Sequence, residues 1–144
     1  MLYQQSTAYA IEALGYLATL APGETIKART LAQTLDIPEP FLAKVLSQLV
    51  RKRFVSSTKG PNGGFALAVD PGSVTLYRIM AATDSLAALE DECVMGLHSC
   101  TSAAPCAFHE SWMKFKERVV EQAQSLTILD ISKIVTAKLQ LSNK

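Results

Sequence analysis

The sequence has no long apolar run. No stretch of its 144 residues approaches the apolar length needed to cross a bilayer, which argues against a membrane-spanning protein. The amino terminus, MLYQQSTAYA, also lacks the basic and then apolar segments that characterise a signal peptide. We therefore expect a cytoplasmic protein of one domain, or of one domain and an arm, with enough apolar residues to bury a core.

Cysteine and histidine are scarce, and both are confined to one segment. The chain has three cysteines and two histidines, and all five lie in CVMGLHSCTSAAPCAFH, residues 93–109. An odd number of cysteines cannot be joined completely in internal disulfides, and stable disulfides are rare in the cytosol. The pattern favours metal binding or thiol chemistry.

Familiar catalytic motifs are also missing. The sequence shows no zinc-protease motif, no nucleophile elbow and no phosphate-binding loop. The glycine-rich stretch GPNGG, residues 60–64, is not followed by the lysine–serine pair of a Walker sequence. We therefore expect that the protein is not an enzyme, and a DNA-binding regulator or a protein-binding adaptor remains.

The formal net charge is only +1, but the charges are unevenly distributed. Residues 40–69 contain no acidic residue and five basic ones: Lys44, Arg51, Lys52, Arg53 and Lys59. Acidic residues lie elsewhere, including Glu90, Asp91 and Glu92 just before the first cysteine. A local basic surface on a nearly neutral protein fits a phosphate-facing patch, although a solvated helix face has the same pattern.

The second quarter of the chain predicts two short helices joined by a tight turn. Thr25 can cap the first helix, Asp36 and Ile37 form the turn, and Pro38 suits the first position of the second helix. The second helix has a buried stripe at spacings of three and four: Leu42, Val45, Leu46 and Leu49. Its opposite stripe is small, polar or basic: Pro40, Ala43, Lys44, Ser47 and Arg51.

These features describe a helix-turn-helix motif, with an ordinary helical hairpin as the alternative. Small outward residues allow a helix to enter the major groove of DNA, and Lys44 and Arg51 can reach phosphates.

A β-hairpin follows directly, in FVSSTKGPNGGFALAVD, residues 54–70. Phe65, Leu67 and Val69 alternate as in a strand with one buried face, and KGPNGG is typical of a hairpin tip. We predict phosphate or minor-groove contacts at Ser57, Lys59 and Gly60. The predicted fold is mainly α with a small β-hairpin wing: a winged helix-turn-helix followed by a long carboxy-terminal dimerisation helix.

The last part of the chain predicts a long helix after Pro105 and a final helix capped by TILD, residues 127–130. The long helix carries an apolar stripe spaced as in a coiled-coil seam: Phe108, Trp112, Phe115, Val119 and Leu126. We assign this stripe to a homodimer interface, with packing inside the chain as the alternative. A two-fold dimer would match pseudo-palindromic double-stranded operator DNA.

We expect three segments: a DNA-binding domain over residues 1–83 that includes the amino-terminal helix, a cysteine loop over 84–105, and the dimerisation and carboxy-terminal helices over 106–144.

The cysteine spacing bears on the kind of site. Cys93, Cys100 and Cys106 are separated by six and five residues, and His109 lies three residues beyond Cys106. With Pro105 at the first helical position, Cys106 and His109 would share one face of the first turns. Structural zinc sites more often pair cysteines two to four residues apart. The wider spacing is compatible with an iron–sulfur cluster, while zinc and redox-active or buried thiols remain alternatives. His98 competes with His109 as the fourth ligand, and Glu12, Asp91 and Glu92 are further alternatives.

The stretch LAQTLDIPEPFLAKVLSQLVRKRFVSSTKGPNGGFALA, residues 31–68, resembles the IscR/NsrR group of iron–sulfur cluster regulators, which are bacterial winged-helix transcription factors. YAIEAL at residues 9–14, the three cysteines and HESW at 109–112 extend the resemblance over nearly the whole chain. It implies a homodimer that binds operator DNA and changes its binding when a [2Fe–2S] or [4Fe–4S] cluster is lost or altered. It also implies Cys93, Cys100 and Cys106 as ligands, with His109 as the fourth.

The sequence departs from that group at four points. The first cysteine interval is six residues where the IscR-like branch has five, so the cluster type is not carried over. Ala43 replaces an acidic residue of the IscR-like branch, and Lys59 stands where arginine is frequent. Ala8 replaces the aspartate ligand of some nitric-oxide-sensing members, which favours His109 or an external fourth ligand.

Overall fold

The computed structural model describes residues 3–83, 85–97 and 101–142. Within these ranges the chain is mainly helical with one two-stranded antiparallel sheet, as the sequence predicts. The elements follow in the order α1 (Gln5–Leu17), α2 (Ala28–Leu35), α3 (Glu39–Arg51), β1 (Val55–Thr58), β2 (Gly64–Leu67), α4 (Leu76–Ala82), α5 (Ser85–Asp91), α6 (His109–Ser125) and α7 (Ile128–Ser142). Of the helices in these ranges, none has the length and apolarity required to cross a membrane.

Helices α2 and α3 form the predicted helix-turn-helix. Their apolar residues recur at helical spacing, so each helix buries one face and Leu31, Leu42 and Leu46 lie in the core. Asp36 ends α2 in the left-handed conformation, with φ of 53°, which aspartate tolerates better than most residues. Pro38 caps α3 and does not occupy its first position.

The wing is the hairpin of β1 and β2, in which Val55 faces Leu67 and Thr58 faces Gly64. The segment before α2 adds a third short pairing, because Ile26 and Phe65 exchange two backbone hydrogen bonds of 3.0 and 2.8 Å. The wing is therefore anchored to the start of the helix-turn-helix.

The prediction that Thr25 caps α2 is wrong. The residue that precedes α2 is Lys27, and the Thr25 hydroxyl instead donates a hydrogen bond of 3.1 Å to the carbonyl of Asn62 in the wing tip. A hydroxyl next to a helix start serves as a cap only when the chain turns there, and here the chain is extended and paired with β2.

Helix α1 lies in the core between α3 and α7. The approach of α7 is close, since a Cβ atom at Gly15 would lie 2.8 Å from methyl groups of both Ile131 and Val135. The carboxy-terminal helix therefore completes the core formed by the amino-terminal helices. The segment boundaries after residues 83 and 105 stay a prediction.

The predicted apolar stripe of α6 divides into two parts. Val119 packs against the small second core around Met80 and Leu89, and Leu126 packs against the main core. Phe108 and Phe115 are 56% and 45% exposed. Phe108 and Phe115 are thus largely uncovered by the described residues, whereas Val119 holds α6 against α4 and α5.

The start of α7 confirms the predicted capping box. The amide and hydroxyl of Thr127 donate to the carboxylate of Asp130 at 2.9 and 2.7 Å, and the Asp130 amide donates to the Thr127 hydroxyl at 3.3 Å. The hydrogen bonds from the Thr127 backbone and hydroxyl hold the pKa of Asp130 below its ordinary value of 3.8.

We expect the substitution Asp130→Asn to lower the unfolding temperature at neutral pH, because an ionised cap accepts stronger hydrogen bonds and complements the helix dipole. A carboxyl group with a lowered folded-state pKa stabilises the fold above its unfolded pKa, and this contribution is lost as the pH falls through the folded value. Thermal unfolding followed by circular dichroism should therefore show the difference from the parent protein shrinking below pH 3.8. Glu121→Gln on α6 is the matched control, and a difference that persists unchanged in acid would contradict the prediction.

Candidate nucleic-acid interface and cysteine site

The outward face of α3 is polar and basic, as predicted. Pro40, Ala43, Lys44, Ser47 and Arg51 are all exposed. The last four of them line one groove of about 680 Å³. The start of α1 forms the opposite side of the groove. Because the buried stripe of α3 faces the core, this small and basic face is the one that α3 can present to a DNA groove.

Phe41, which was not among the predicted interface residues, also lines this groove and is 56% exposed. An aromatic residue in an apolar helix is normally assigned to the core. Its position three residues before Lys44 places it on the same side of α3, and that spacing was the available signal. An exposed aromatic ring at this point can contact thymine methyl groups or sugars.

The wing tip is exposed and is held in place by a side chain from outside the wing. Ser57, Lys59 and Gly60 are exposed, as their predicted role requires. The ammonium group of Lys27 donates a hydrogen bond of 2.7 Å to the carbonyl of Gly60. Lys27 could not be predicted from the sequence, because its contact with the tip joins residues 33 positions apart.

Gly63 allows the tip to fold back on itself. Its amide donates to the carbonyl of Gly60 at 3.0 Å, and a Cβ atom at this position would lie 2.1 Å from the carbonyl oxygen of Thr58. We expect Gly63→Ala to displace the tip at a cost of roughly 1–3 kcal/mol of stability and to weaken DNA binding, measured by gel retardation alongside thermal unfolding. The control is Gly72→Ala, because the nearest atom to its new Cβ is 3.7 Å away. Unchanged DNA affinity in Gly63→Ala would argue against any part for the wing in binding.

Two of the three cysteines meet. Cys93 follows α5 and is buried, Cys106 precedes α6 and is half-buried, and their sulfur atoms lie 3.8 Å apart. Four bonds of about 2.3 Å arranged as a tetrahedron place neighbouring sulfurs about 3.8 Å apart, whereas a disulfide bond measures about 2.05 Å. The separation therefore suits two ligands of one metal centre.

The other predicted ligands are less completely placed. Cys100, and also His98, lie outside the described residues. His109 is the first residue of α6, and its amide donates to the carbonyl of Cys106 at 3.1 Å. The expectation that the helix starts at Pro105 is wrong, because a turn over residues 106–109 leads into α6, which begins at His109. Cys106 therefore precedes the helix and does not share a helical face with His109.

The donor set fits an iron–sulfur cluster. Thiolate and imidazole are the ligands that irons of such clusters accept, and they also suit zinc. In residues 3–83, 85–97 and 101–142 no three His, Cys, Asp or Glu side chains are grouped closely enough to hold a metal ion. A complete site would thus require a ligand beyond those ranges, and Cys100 is the predicted one.

Helix α6 holds the chain that leads into Cys93. The indole nitrogen of Trp112 donates to the carbonyl of Glu92 at 2.8 Å, and the ammonium group of Lys116 donates to the carbonyl of Glu90 at 3.0 Å. The same ammonium group lies 5.9 Å from the centre of the Trp112 ring. The first two turns of α6 are therefore attached both to Cys106 and to the end of α5.

Comparisons with known proteins agree with this architecture. The family described as "Rrf2: Iron-dependent Transcriptional regulator" matches residues 3–134. A protein of Aquifex aeolicus named as an HTH-type transcriptional regulator is 35% identical over 136 residues, which cover 93% of this chain and 93% of that protein.

Two solved structures share the fold. CymR (YrzC), described as the global cysteine regulator of B. subtilis, aligns with a TM-score of 0.72 at 21% identity and covers 91% of this chain and 95% of its own. IscR of T. potens aligns with a TM-score of 0.68 at 21% identity and covers 90% of this chain and 85% of its own. These likenesses confirm the predicted fold class.

Proposed function

The chain belongs to the Rrf2 family of transcriptional regulators, and from that premise we propose that it binds pseudo-palindromic double-stranded operator DNA as a homodimer. Support comes from the exposed face of α3, where Ala43, Ser47 and Arg51 line one groove with Lys44. Helix α3 would enter the major groove, while Ser57, Lys59 and Gly60 of the wing would contact the adjacent backbone or minor groove. The protein would act in the cytoplasm, where it would bind the DNA.

The homodimer would form through α6. Phe108, just before α6, and Phe115 on it are exposed, and seven residues apart they fall on the same side of the helix. The Phe115 ring stacks on the Trp112 ring with 5.6 Å between the ring centres. Apolar side chains that lie together on a surface are typical of an interface between subunits. A two-fold axis along α6 would present two copies of α3 to successive half-sites of the operator.

We further propose that Cys93, Cys100, Cys106 and His109 hold an iron–sulfur cluster. The single observation that carries this proposal is the 3.8 Å separation of the Cys93 and Cys106 sulfurs. When bound, the cluster would supply an iron centre that nitric oxide, oxygen or iron starvation can alter or remove.

The protein's own residues determine what such a change would do. Cys93 lies two residues after α5 and Cys106 three residues before α6, so shared ligation would fix the adjoining ends of these two helices relative to each other. Release of the cysteine segment would let α5 and α6 move. This movement would change the position of the two helix-turn-helix motifs of the dimer relative to each other. A coupling of about 1–3 kcal/mol corresponds to a change of roughly five- to 150-fold in DNA affinity.

A second candidate is a winged-helix regulator with a zinc site or a thiol switch. The same 3.8 Å separation equals the spacing of two sulfurs on zinc, and a small movement would bring the sulfurs to bonding distance. A solved structure of similar fold, CymR, is described as a cysteine regulator.

One preparation separates the two candidates. Protein purified without oxygen is examined by visible absorption, and its iron, acid-labile sulfide and zinc are counted per chain. Visible absorption with iron and sulfide in equal amounts supports the cluster, whereas zinc alone, or neither metal together with thiol-dependent binding, supports the alternative. Retardation of duplexes selected from a random pool, measured over a range of salt concentrations, tests sequence-specific DNA binding independently. Failure to select any preferred sequence would contradict the regulator function.

A further inference from the structure

Gln48 joins the recognition helix to the end of another helix. This side chain lies on α3, is half-buried, and donates a hydrogen bond of 3.1 Å from its amide nitrogen to the carbonyl of Ala82. Ala82 is the last residue of α4, and carbonyls in the last turn of a helix lack a partner within that helix. Any displacement of this end of α4 would therefore act directly on α3.

The junction between α4 and α5 is held by a buried cluster of three hydroxyl groups. Thr7, Thr83 and Ser85 are 0%, 3% and 0% exposed. The Thr7 hydroxyl donates to that of Thr83 at 2.7 Å, and Thr7 and Ser85 are also hydrogen-bonded to each other. Breaking one of these buried hydrogen bonds would leave a polar group with neither a protein partner nor water to bind. The cluster therefore resists local deformation. It thus ties the beginning of α5 to α1.

The other end of α5 is held by α4 and α6 and leads into the cysteine segment. Leu89 is buried against Met80 and Ala123, and α6 binds the carbonyls of Glu90 and Glu92. The seven residues of α5 span about 10 Å as a rigid helix. One end of this helix therefore adjoins the contact made by Gln48, and the other end leads into Cys93.

We propose that Gln48 is a positioning residue that makes the position of α3 depend on the state of the cysteine segment. A change in that segment would be transmitted through α5 and the α4–α5 junction to the hydrogen bond between Gln48 and Ala82. The proposal rests on the proposed function, because it assumes that α3 reads DNA and that the cysteine segment carries the signal. Coupling between two sites is reciprocal, so DNA bound at α3 would also alter the surroundings of Trp112. Trp112 is the chain's single tryptophan, which makes its fluorescence a reporter of the cysteine segment.

The first test uses Gln48→Met, which keeps the length of the side chain but cannot donate a hydrogen bond, and Gln140→Met on the exposed surface of α7 as the control. The affinity for a duplex selected from a random pool by the parent protein is measured with and without the cluster. We expect a ratio of about fivefold or more in the parent and the control, and a ratio within twofold in Gln48→Met. A residue that only contacts DNA or only stabilises the fold would lower both affinities and leave the ratio unchanged, which would overturn the proposal.

The second test needs no cluster. In cluster-free protein, addition of the selected duplex should shift the emission of Trp112 in the parent and in Gln140→Met, and the shift should fall by at least half in Gln48→Met at saturating duplex. An equal shift in all three proteins, or none in the parent, would overturn the proposal.

The failures of the two ideas are distinguishable. A parent protein that binds no iron but whose Trp112 emission responds to DNA through Gln48 contradicts the cluster and supports the positioning role. A parent protein with a cluster-dependent affinity that Gln48→Met retains in full supports the cluster and overturns the positioning role.

Discussion

Protein carrying Cys106→Ala is expected to be purified without bound iron and without visible absorption, even under strict exclusion of oxygen. The substitution removes one of the two sulfurs that lie 3.8 Å apart. The remaining predicted ligands, Cys93, Cys100 and His109, would leave the cluster one thiolate short. Iron and sulfide counts per chain measure the loss, and Cys100→Ala should reproduce it.

The fold itself should survive this substitution, because Cys106 is half-buried and lies in a turn and not in the core. Ser102→Ala in the same segment is exposed and serves as the matched control, with full iron content expected. Cluster-dependent DNA affinity should be absent in Cys106→Ala and unchanged in the control. If Cys106→Ala retained its iron and the dependence of its DNA affinity on the cluster, the ligand assignment would be wrong.

The second large effect is expected from removing two charges of α3. The double substitution Lys44→Gln and Arg51→Gln removes two exposed cations from one groove. Each lost phosphate contact reduces the slope of log affinity against log salt by about 0.9, so the slope should fall by about 1.8 and the affinity by roughly 30-fold at physiological salt. Retardation or fluorescence anisotropy at several salt concentrations measures both quantities.

A change in net charge alone must be separated from this effect. Lys114→Gln with Lys133→Gln removes the same charge from exposed positions on α6 and α7. Lys114 makes a surface ion pair of 2.7 Å with Glu110, which adds little to stability. The control should keep nearly the parent slope. An equal loss of slope in both double variants would show that binding depends on total charge and not on the face of α3.

The elements around the DNA-binding face could be predicted because their determinants are local. The buried stripe of α3, the turn after α2 and the glycine-rich hairpin each depend on residues a few positions apart, and the structure forms all three. The capping box of Thr127 and Asp130 is equally local and was also predicted. Residues of opposite faces separate cleanly in such elements, because one face must be buried.

The remaining features depend on neighbours far away in the sequence. Thr25 has the residue type of a helix cap, but pairing of its segment with β2 directs its hydroxyl to Asn62. Phe41 is of a residue type that is usually buried, yet none of the described elements covers it. The contact of Gln48 with Ala82 joins residues 34 positions apart, and nothing in the local sequence indicates it.

The sequence by itself determined the helix-turn-helix, the wing, the basic outward face of α3 and the confinement of every cysteine to one segment. Only the tertiary structure decided that the sulfurs of Cys93 and Cys106 lie as far apart as two ligands of one metal ion. It also decided that α6 begins at His109 and that α7 completes the core against Gly15 of α1. The physical reason is that periodicity and turn chemistry act over a few residues, whereas the meeting of two sulfurs or two helices depends on the packing of the whole chain.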